Sequence, residues 1–265
     1  MSVPALTLPP PRAPDAPRIL IVRLSALGDI VFATSLLASL RARWPQAHIA
    51  WLAQPGFAGI LDGDPRVDEL IRVPAETLRS PRALWQLRRD LRARRYDWVC
   101  EIQGLFKSRV LAALAGGYRI GFASKEPGGW LMHAQLAKGG EIRDISSEYR
   151  YFAEALTGVP ASAPCLLPNA ATPAAIAAML QKHDLRSGFV ALCPFTTRPQ
   201  KHWIEDHWPA LIAQLDAAGL RCVLFGGPGD REAAARITAA SPTSLVNLVG
   251  ETRLPELPTW LAKAG

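Results

Sequence analysis

The sequence is short of the features that announce several familiar chemistries. Its four cysteines, Cys100, Cys165, Cys193 and Cys222, are widely spaced with no C-x-x-C pair. That argues against a disulfide framework or a zinc ribbon and for reduced core thiols in a cytosolic protein. No apolar run reaches the roughly 18–20 residues of a membrane span. The opening stretch MSVPALTLPPPRAPDAPR lacks an apolar signal core and is expected to be a disordered leader. His48, His133, His183, His202 and His207 form no H-E-x-x-H or other metal spacing, and there is no G-x-S-x-G elbow or Walker lysine loop. A zinc enzyme, a hydrolase triad and a P-loop NTPase are all disfavoured. Acidic residues are outnumbered, 23 Asp and Glu against 30 Lys and Arg, for a formal charge of +7. The excess favours an anionic partner: nucleic acid, an acidic membrane surface or a phosphorylated substrate. Nucleic acid fits least, since no recognised module or basic stretch interleaved with stacking aromatics appears.

What the sequence does contain is alternation. The continuous apolar run RILIV (18–22) suits a strand buried on both faces. Helical spacing of Ile30, Ala33, Leu37 and Leu40 follows, ended at Trp44-Pro45. Strands are expected at 48–53, 69–73, 97–102 and 118–122, with helices near 81–95, 105–115 and 146–157. The Pro/Ala/Ser-rich stretch 159–173 interrupts the pattern. It then restarts with helices over 174–183, 206–218 and 229–240 and strands at 189–195, 221–227 and 244–250. The expected organisation is a leader (1–17), a doubly wound α/β domain (18–160), a linker (161–173) and a thinner α/β domain (174–265).

Ligands of open parallel sheets bind beyond the carboxyl ends of the strands, and three loops qualify. In SALGD (25–29), Gly28 allows a tight turn. Asp29 is either a helix N-cap or a general base aimed into the sheet-edge crevice. In FTTRPQKHW (195–203), two hydroxyls and Lys201 precede a helix, either as a polar turn or as a diphosphate grip. In GGPGD (226–230), Asp230 either caps the next helix or binds a ribose hydroxyl. The stretch 78–98 carries seven arginines, with Leu84, Leu87 and Leu91 on one helical face and Arg88, Arg92 and Arg95 on another. It is either a solvated charged face or a contact for anionic headgroups.

RILIVRLSALGDIVFATSLLASLR, DWVCEIQGLFKS, TTRPQKHWIEDHW and FGGPGD occur in that order. Together they resemble the bacterial ADP-heptose:lipopolysaccharide heptosyltransferases of glycosyltransferase family 9, with the TTRxxKHWxxxHW block most like heptosyltransferase I. The resemblance covers roughly residues 18–265. It implies the GT-B fold, two Rossmann-like domains facing a cleft, and an inverting transfer that needs no metal and no cofactor. The N-terminal domain would take a Kdo–lipid A type acceptor and the C-terminal domain the ADP-heptose donor. The resemblance puts the base on Asp29 with Ser25 beside it, the diphosphate grip on Thr196, Thr197 and Lys201, and the ribose contact on Asp230. Gln103 and Lys107 are weaker cleft candidates. It also implies a cytoplasmic enzyme held peripherally at the anionic inner face of the membrane, for which the arginine-rich helix would be suited. Family members continue with a strand and a D-[ST]-G-x-x-H motif, whereas this sequence stops at LPTWLAKAG. The second domain is therefore expected to be incomplete. A family-9 transferase of another sugar or acceptor, or a non-catalytic nucleotide- or glycan-binding protein, are the competing readings.

Overall fold

The computed structural model of the chain describes residues 3–141, 144–169, 172–196 and 198–265. The chain divides into two compact units, residues 1–166 and 167–265. The division falls inside the proline-rich stretch.

The first unit is a six-stranded, all-parallel sheet in the order β3-β2-β1-β4-β5-β6. Its strands are β1 (Arg18–Val22), β2 (His48–Ala53), β3 (Glu69–Arg72), β4 (Trp98–Glu101), β5 (Tyr118–Phe122) and β6 (Ala134–Leu136). Its helices are α1 (Leu27–Arg43), the short α2 (Pro55–Ala58), α3 (Pro81–Ala93), α4 (Phe106–Ala115) and α5 (Ile145–Thr157). Ile19, Leu20, Ile21 and Val22 are wholly buried, as expected of a strand covered on both faces. Each such side chain contributes about 1.5–3 kcal/mol relative to exposure. Chain order reverses between β1 and β4, so the loops leaving these adjacent strands flank the topological switch point.

Two expectations fail in this unit. β6 was not foreseen, because its three residues follow a turn at Gly129–Leu131 and carry no clear alternation. Residues 3–17 are not a disordered leader. They have no regular secondary structure, yet they are anchored. The Trp98 indole donates to Pro9 O (3.1 Å), Leu6 N–H donates to Ala155 O (2.8 Å), and Arg12 pairs with Asp97 at 2.9 Å. Proline content limits hydrogen-bonded structure within the segment, but Pro9 O, the Leu6 N–H and the Arg12 side chain still find partners on β4, on α5 and at Asp97.

Burial tends to raise the Asp97 carboxyl, but the N–H groups of Arg18 and Arg12 and the Arg12 charge outweigh it, and the net direction is downward. A depressed native value stabilises the fold fully above the ordinary value of 3.8. That stabilisation is lost as pH falls through the lowered native value. Asp97→Asn is therefore expected to cost about 1–3 kcal/mol at pH 7. It should also flatten the acid limb of stability below about pH 4, where wild type and variant converge. Urea titrations at pH 7 and pH 3 measure both effects.

The second unit is the parallel sheet β7 (Val190–Leu192), β8 (Cys222–Leu224) and β9 (Val246–Asn247), in sequential order. Helices α6 (Pro173–Lys182), α7 (His207–Ala217), α8 (Arg231–Ala239) and α9 (Leu257–Leu261) accompany it. Its strands are shorter than the apolar runs that predict them, because the ends of those runs turn into the polar loops. The Trp260 indole of α9 is fully buried against Phe225 (5.6 Å between centroids) and Phe189 (6.1 Å). All four cysteines are free, but only Cys100 and Cys222 are buried. Cys193 lies just past β7 and is exposed, so the expectation of core thiols holds for two of the four.

Candidate active site

The loop after β1 runs from Arg23 to Ala26 and turns into α1. Ala26, not Asp29, occupies the N-cap position, and Asp29 is the third residue of the helix. Its carboxylate still serves the helix start, since Oδ2 accepts the Ala26 N–H at 3.3 Å and its charge lies in the first turn, where the helix dipole favours an anion. The same Oδ2 sits 2.5 Å from Arg23 Nη2, and the Asp29 side chain is 35% exposed. Oδ1 accepts no hydrogen bond among the described residues. Gly28 does not form a tight left-handed turn. It is an ordinary helical residue with open space where a Cβ would lie, so the backbone does not demand glycine there.

The side chain of Arg23, 9% exposed, is the group that sequence reasoning missed. It donates to Ile102 O at 3.1 Å, which links the loop after β1 to the end of β4. Its guanidinium carbon lies 5.6 Å from the ring centroid of Tyr149, on α5. Burial drives the Tyr149 hydroxyl well above its ordinary range, Arg23 opposes this, and the Asp29 and Glu148 charges add to it. A charged residue directly after an apolar strand was the available signal for Arg23. Tyr149 offered none, since only the tertiary fold brings α5 to this edge.

Gln103 belongs with Asp29 and Ser25. Its side-chain oxygen accepts the Leu24 N–H at 2.8 Å, and its Nε2 lies 3.5 Å from Ser25 Oγ. The left-handed conformation of Gly104 (φ +73°) turns the chain immediately after it. Lys107 lies in the first turn of α4, half-buried, with no polar partner among the described residues. The switch-point cluster is thus Arg23, Ser25, Asp29, Gln103 and Tyr149.

In the second unit the loop after β7 carries the other candidates. Thr196 Oγ1 accepts the Arg198 N–H at 3.4 Å, and the His202 ring hydrogen-bonds Thr196 O at 2.7 Å. Thr197 lies outside the described residues. Lys201 ends a 3₁₀ turn (Pro199–Lys201) and is exposed. Glu205 anchors the far end of the loop through Arg236 of α8 (2.7 Å), whose hydrogen bond holds the Glu205 carboxyl below its ordinary range.

Asp230 does not cap α8, although it holds the N-cap position. Its Oδ2 instead accepts the Gly227 N–H at 2.8 Å, closing the glycine-rich turn on itself. Gly226 is required there by close approach, since a Cβ would lie 2.6 Å from the Phe195 ring. The unit thus offers a hydroxyl, a free ammonium and a turn rich in backbone N–H groups at the carboxyl ends of β7 and β8. That set suits a diphosphate. Among the described residues no cluster of three or more His, Cys, Asp and Glu side chains could hold a metal ion, and no helix is long and apolar enough to cross a membrane.

The model of glycosyltransferase family 9 (heptosyltransferase) matches residues 84–265. Lipopolysaccharide heptosyltransferase 1 of Salmonella typhimurium is 30% identical over 271 residues, an alignment that covers 93% of this chain and 80% of that protein. Lipopolysaccharide heptosyltransferase 2 of Escherichia coli K12 is also 30% identical, covering 90% of this chain and 73% of that one. Among solved structures, E. coli heptosyltransferase WaaC with ADP superposes with a TM-score of 0.73 at 27% identity, covering 93% of this chain and 78% of that one.

Proposed function

We propose that this chain, which belongs to glycosyltransferase family 9, transfers heptose from ADP-L-glycero-D-manno-heptose to the Kdo/inner-core region of lipopolysaccharide, with inversion at the anomeric carbon. It is a glycosyltransferase of lipopolysaccharide core assembly. The donor sugar, the acceptor and the residue roles are the inference. The observation that carries it is the division of labour on Asp29, with Oδ2 committed to Arg23 and Ala26 and Oδ1, at the switch point, engaged by no group among the described residues.

In this reading Oδ1 takes the proton of the acceptor hydroxyl as that oxygen attacks the anomeric carbon. The bond from that carbon to the β-phosphate oxygen breaks, and negative charge grows on the departing ADP. Lys201, Thr196 and the N–H groups of the glycine-rich turn stabilise that charge. Thr197 joins them on the strength of the family resemblance, and Asp230 takes the ribose. Ser25, Gly28, Gln103 and Lys107 stand on the acceptor side. The similarity to heptosyltransferases 1 and 2 is alike in degree. The deciding experiment is therefore a panel of ADP- and UDP-sugars against Kdo-terminated and heptose-extended acceptors, read by mass spectrometry. A one-heptose mass gain on the Kdo acceptor alone supports type 1. Gain only on the extended acceptor moves the assignment to type 2, and gain on neither rejects the proposal.

The acceptor is an anionic glycolipid, and α3 supports a cytoplasmic enzyme lying against the inner membrane. Leu91 and Leu87 face the core, while Arg82, Arg88, Arg89 and Arg92 are exposed. Trp85 is 61% exposed beneath the Arg89 guanidinium, and an aromatic with arginines suits a bilayer interface. Of the expected face Arg88, Arg92 and Arg95, only Arg95 falls outside, beyond the helix end, while the neighbouring Arg94 is paired with Glu69 at 2.5 Å. Co-sedimentation with anionic vesicles should be strong at low salt and lost at high salt. Equal binding to neutral vesicles would reject this part.

A further inference from the structure

Behind the Ser25–Asp29 loop lie two charges that the proton transfer does not use. Glu101 ends β4 and Arg109 lies in α4, and both side chains are wholly buried, with Nε and Oε2 3.8 Å apart. At that separation they attract without hydrogen-bonding each other, and Arg109 Nε and Glu101 Oε2 have no hydrogen-bond partner among the described residues. Burial pushes the Glu101 carboxyl upward, against the hydrogen bonds it accepts and the Arg109 charge. A buried pair of this kind is a poor stabiliser, because an apolar pair of similar volume often does as well or better.

What an apolar pair could not do is hold three loops. Glu101 Oε1 accepts the N–H groups of Gln103 (3.0 Å) and Gly104 (2.8 Å). Gln103 in turn holds Leu24 N–H. Arg109 donates from Nη1 to Glu126 O (2.7 Å) and Pro127 O (3.0 Å), and from Nη2 to Phe122 O and Ser124 Oγ (both 3.0 Å). Ser124 Oγ closes the circuit by donating to Gly104 O at 2.9 Å. The loops leaving β1, β4 and β5 are therefore one hydrogen-bonded body.

We infer that Glu101 and Arg109 form a buried positioning unit, which through Gln103 fixes the loop that leads into Asp29 and so the place of that carboxylate for the acceptor. The inference rests on the reading of Asp29 as the base. Neither residue touches substrate. They act by removing freedom from the loop that does, and a displacement of about 1 Å at a reacting centre is enough to cost roughly 10²-fold in rate.

The test is the paired substitution Glu101→Gln with Arg109→Met, which removes both charges, alongside Arg109→Met alone and the milder Ser124→Ala. Arg109→Met alone leaves a buried carboxylate uncompensated and should lower the melting temperature, and the double variant should recover the part of that loss due to the unpaired charge. If the pair positions, amide exchange across residues 23–29 and 122–127 stays about tenfold faster in the recovered double variant. Its kcat should stay down about tenfold, with the KM for ADP-heptose unchanged. Ser124→Ala should show the same pattern in smaller measure, and it decides the matter if the double variant does not fold. Unchanged exchange in those loops, or kcat recovering together with stability, overturns the inference. Asp29→Asn run in parallel separates the two readings. Full turnover there rejects the base, while the exchange result still judges the positioning unit.

Discussion

Asp29→Asn is expected to lower kcat by about 10²–10⁴-fold, with the KM for the donor nearly unchanged. The asparagine keeps the shape of the side chain, and its amide oxygen can still accept the Ala26 N–H that Oδ2 accepts now. What disappears is the basic lone pair on the oxygen that no group among the described residues engages. The substitution also removes the charge facing Arg23. Arg23 keeps its bond to Ile102 O and its place against Tyr149, so the stability cost should stay near 1–2 kcal/mol, a few degrees in melting temperature. Initial rates with saturating donor, together with a thermal melt, measure both quantities. Wild-type turnover would reduce Asp29 to a helix-start residue, and global unfolding would mean that its pairing with Arg23 is chiefly structural.

Lys201→Ala is expected to weaken ADP binding by about 10–100-fold, the equivalent of one lost charge-assisted contact of about 1.5–3 kcal/mol. Its ammonium has no partner among the described residues, and the side chain is exposed. Truncation therefore removes nothing that the fold uses, and the melting temperature should not move. Lys201→Arg should recover part of the affinity, since it restores charge but not the compact ammonium. Titration calorimetry with ADP at two salt concentrations reads this directly. Equal affinities for wild type and alanine variant would assign Lys201 to the solvated surface.

The architecture was legible because its signals are local. The apolar runs at 18–22 and 48–53 and the helical spacing after Asp29 follow from a sheet covered on both sides. The residues at strand ends were legible for the same reason, as the switch-point rule converts a strand end into an address. What escaped was set by tertiary neighbours. Nothing local distinguishes Arg109 in FKSRVLAALA from an exposed helical arginine, yet it is wholly buried. Tyr149 reaches the cluster only through the packing of α5. The tight turn expected at Gly28 and the cap considered for Asp230 did not form, because residue type was read as backbone need. Gly28 sits in a helix that any residue could form, and Asp230 closes its own turn instead of capping the next helix.

The seating of residues 3–17 bears on how the first unit is made. Arg12 and Pro9 bind partners 85 and 89 positions later, and Leu6 binds the carbonyl of Ala155, almost the whole unit away. Contacts so distant in sequence close late, because the loop entropy must be met first. At synthesis rates of about 5–20 residues per second, Leu6 waits on the order of ten seconds for its partner to emerge. Until Asp97 and Trp98 emerge the segment has none of these partners, and its prolines, which resist strand pairing, keep it from pairing wrongly.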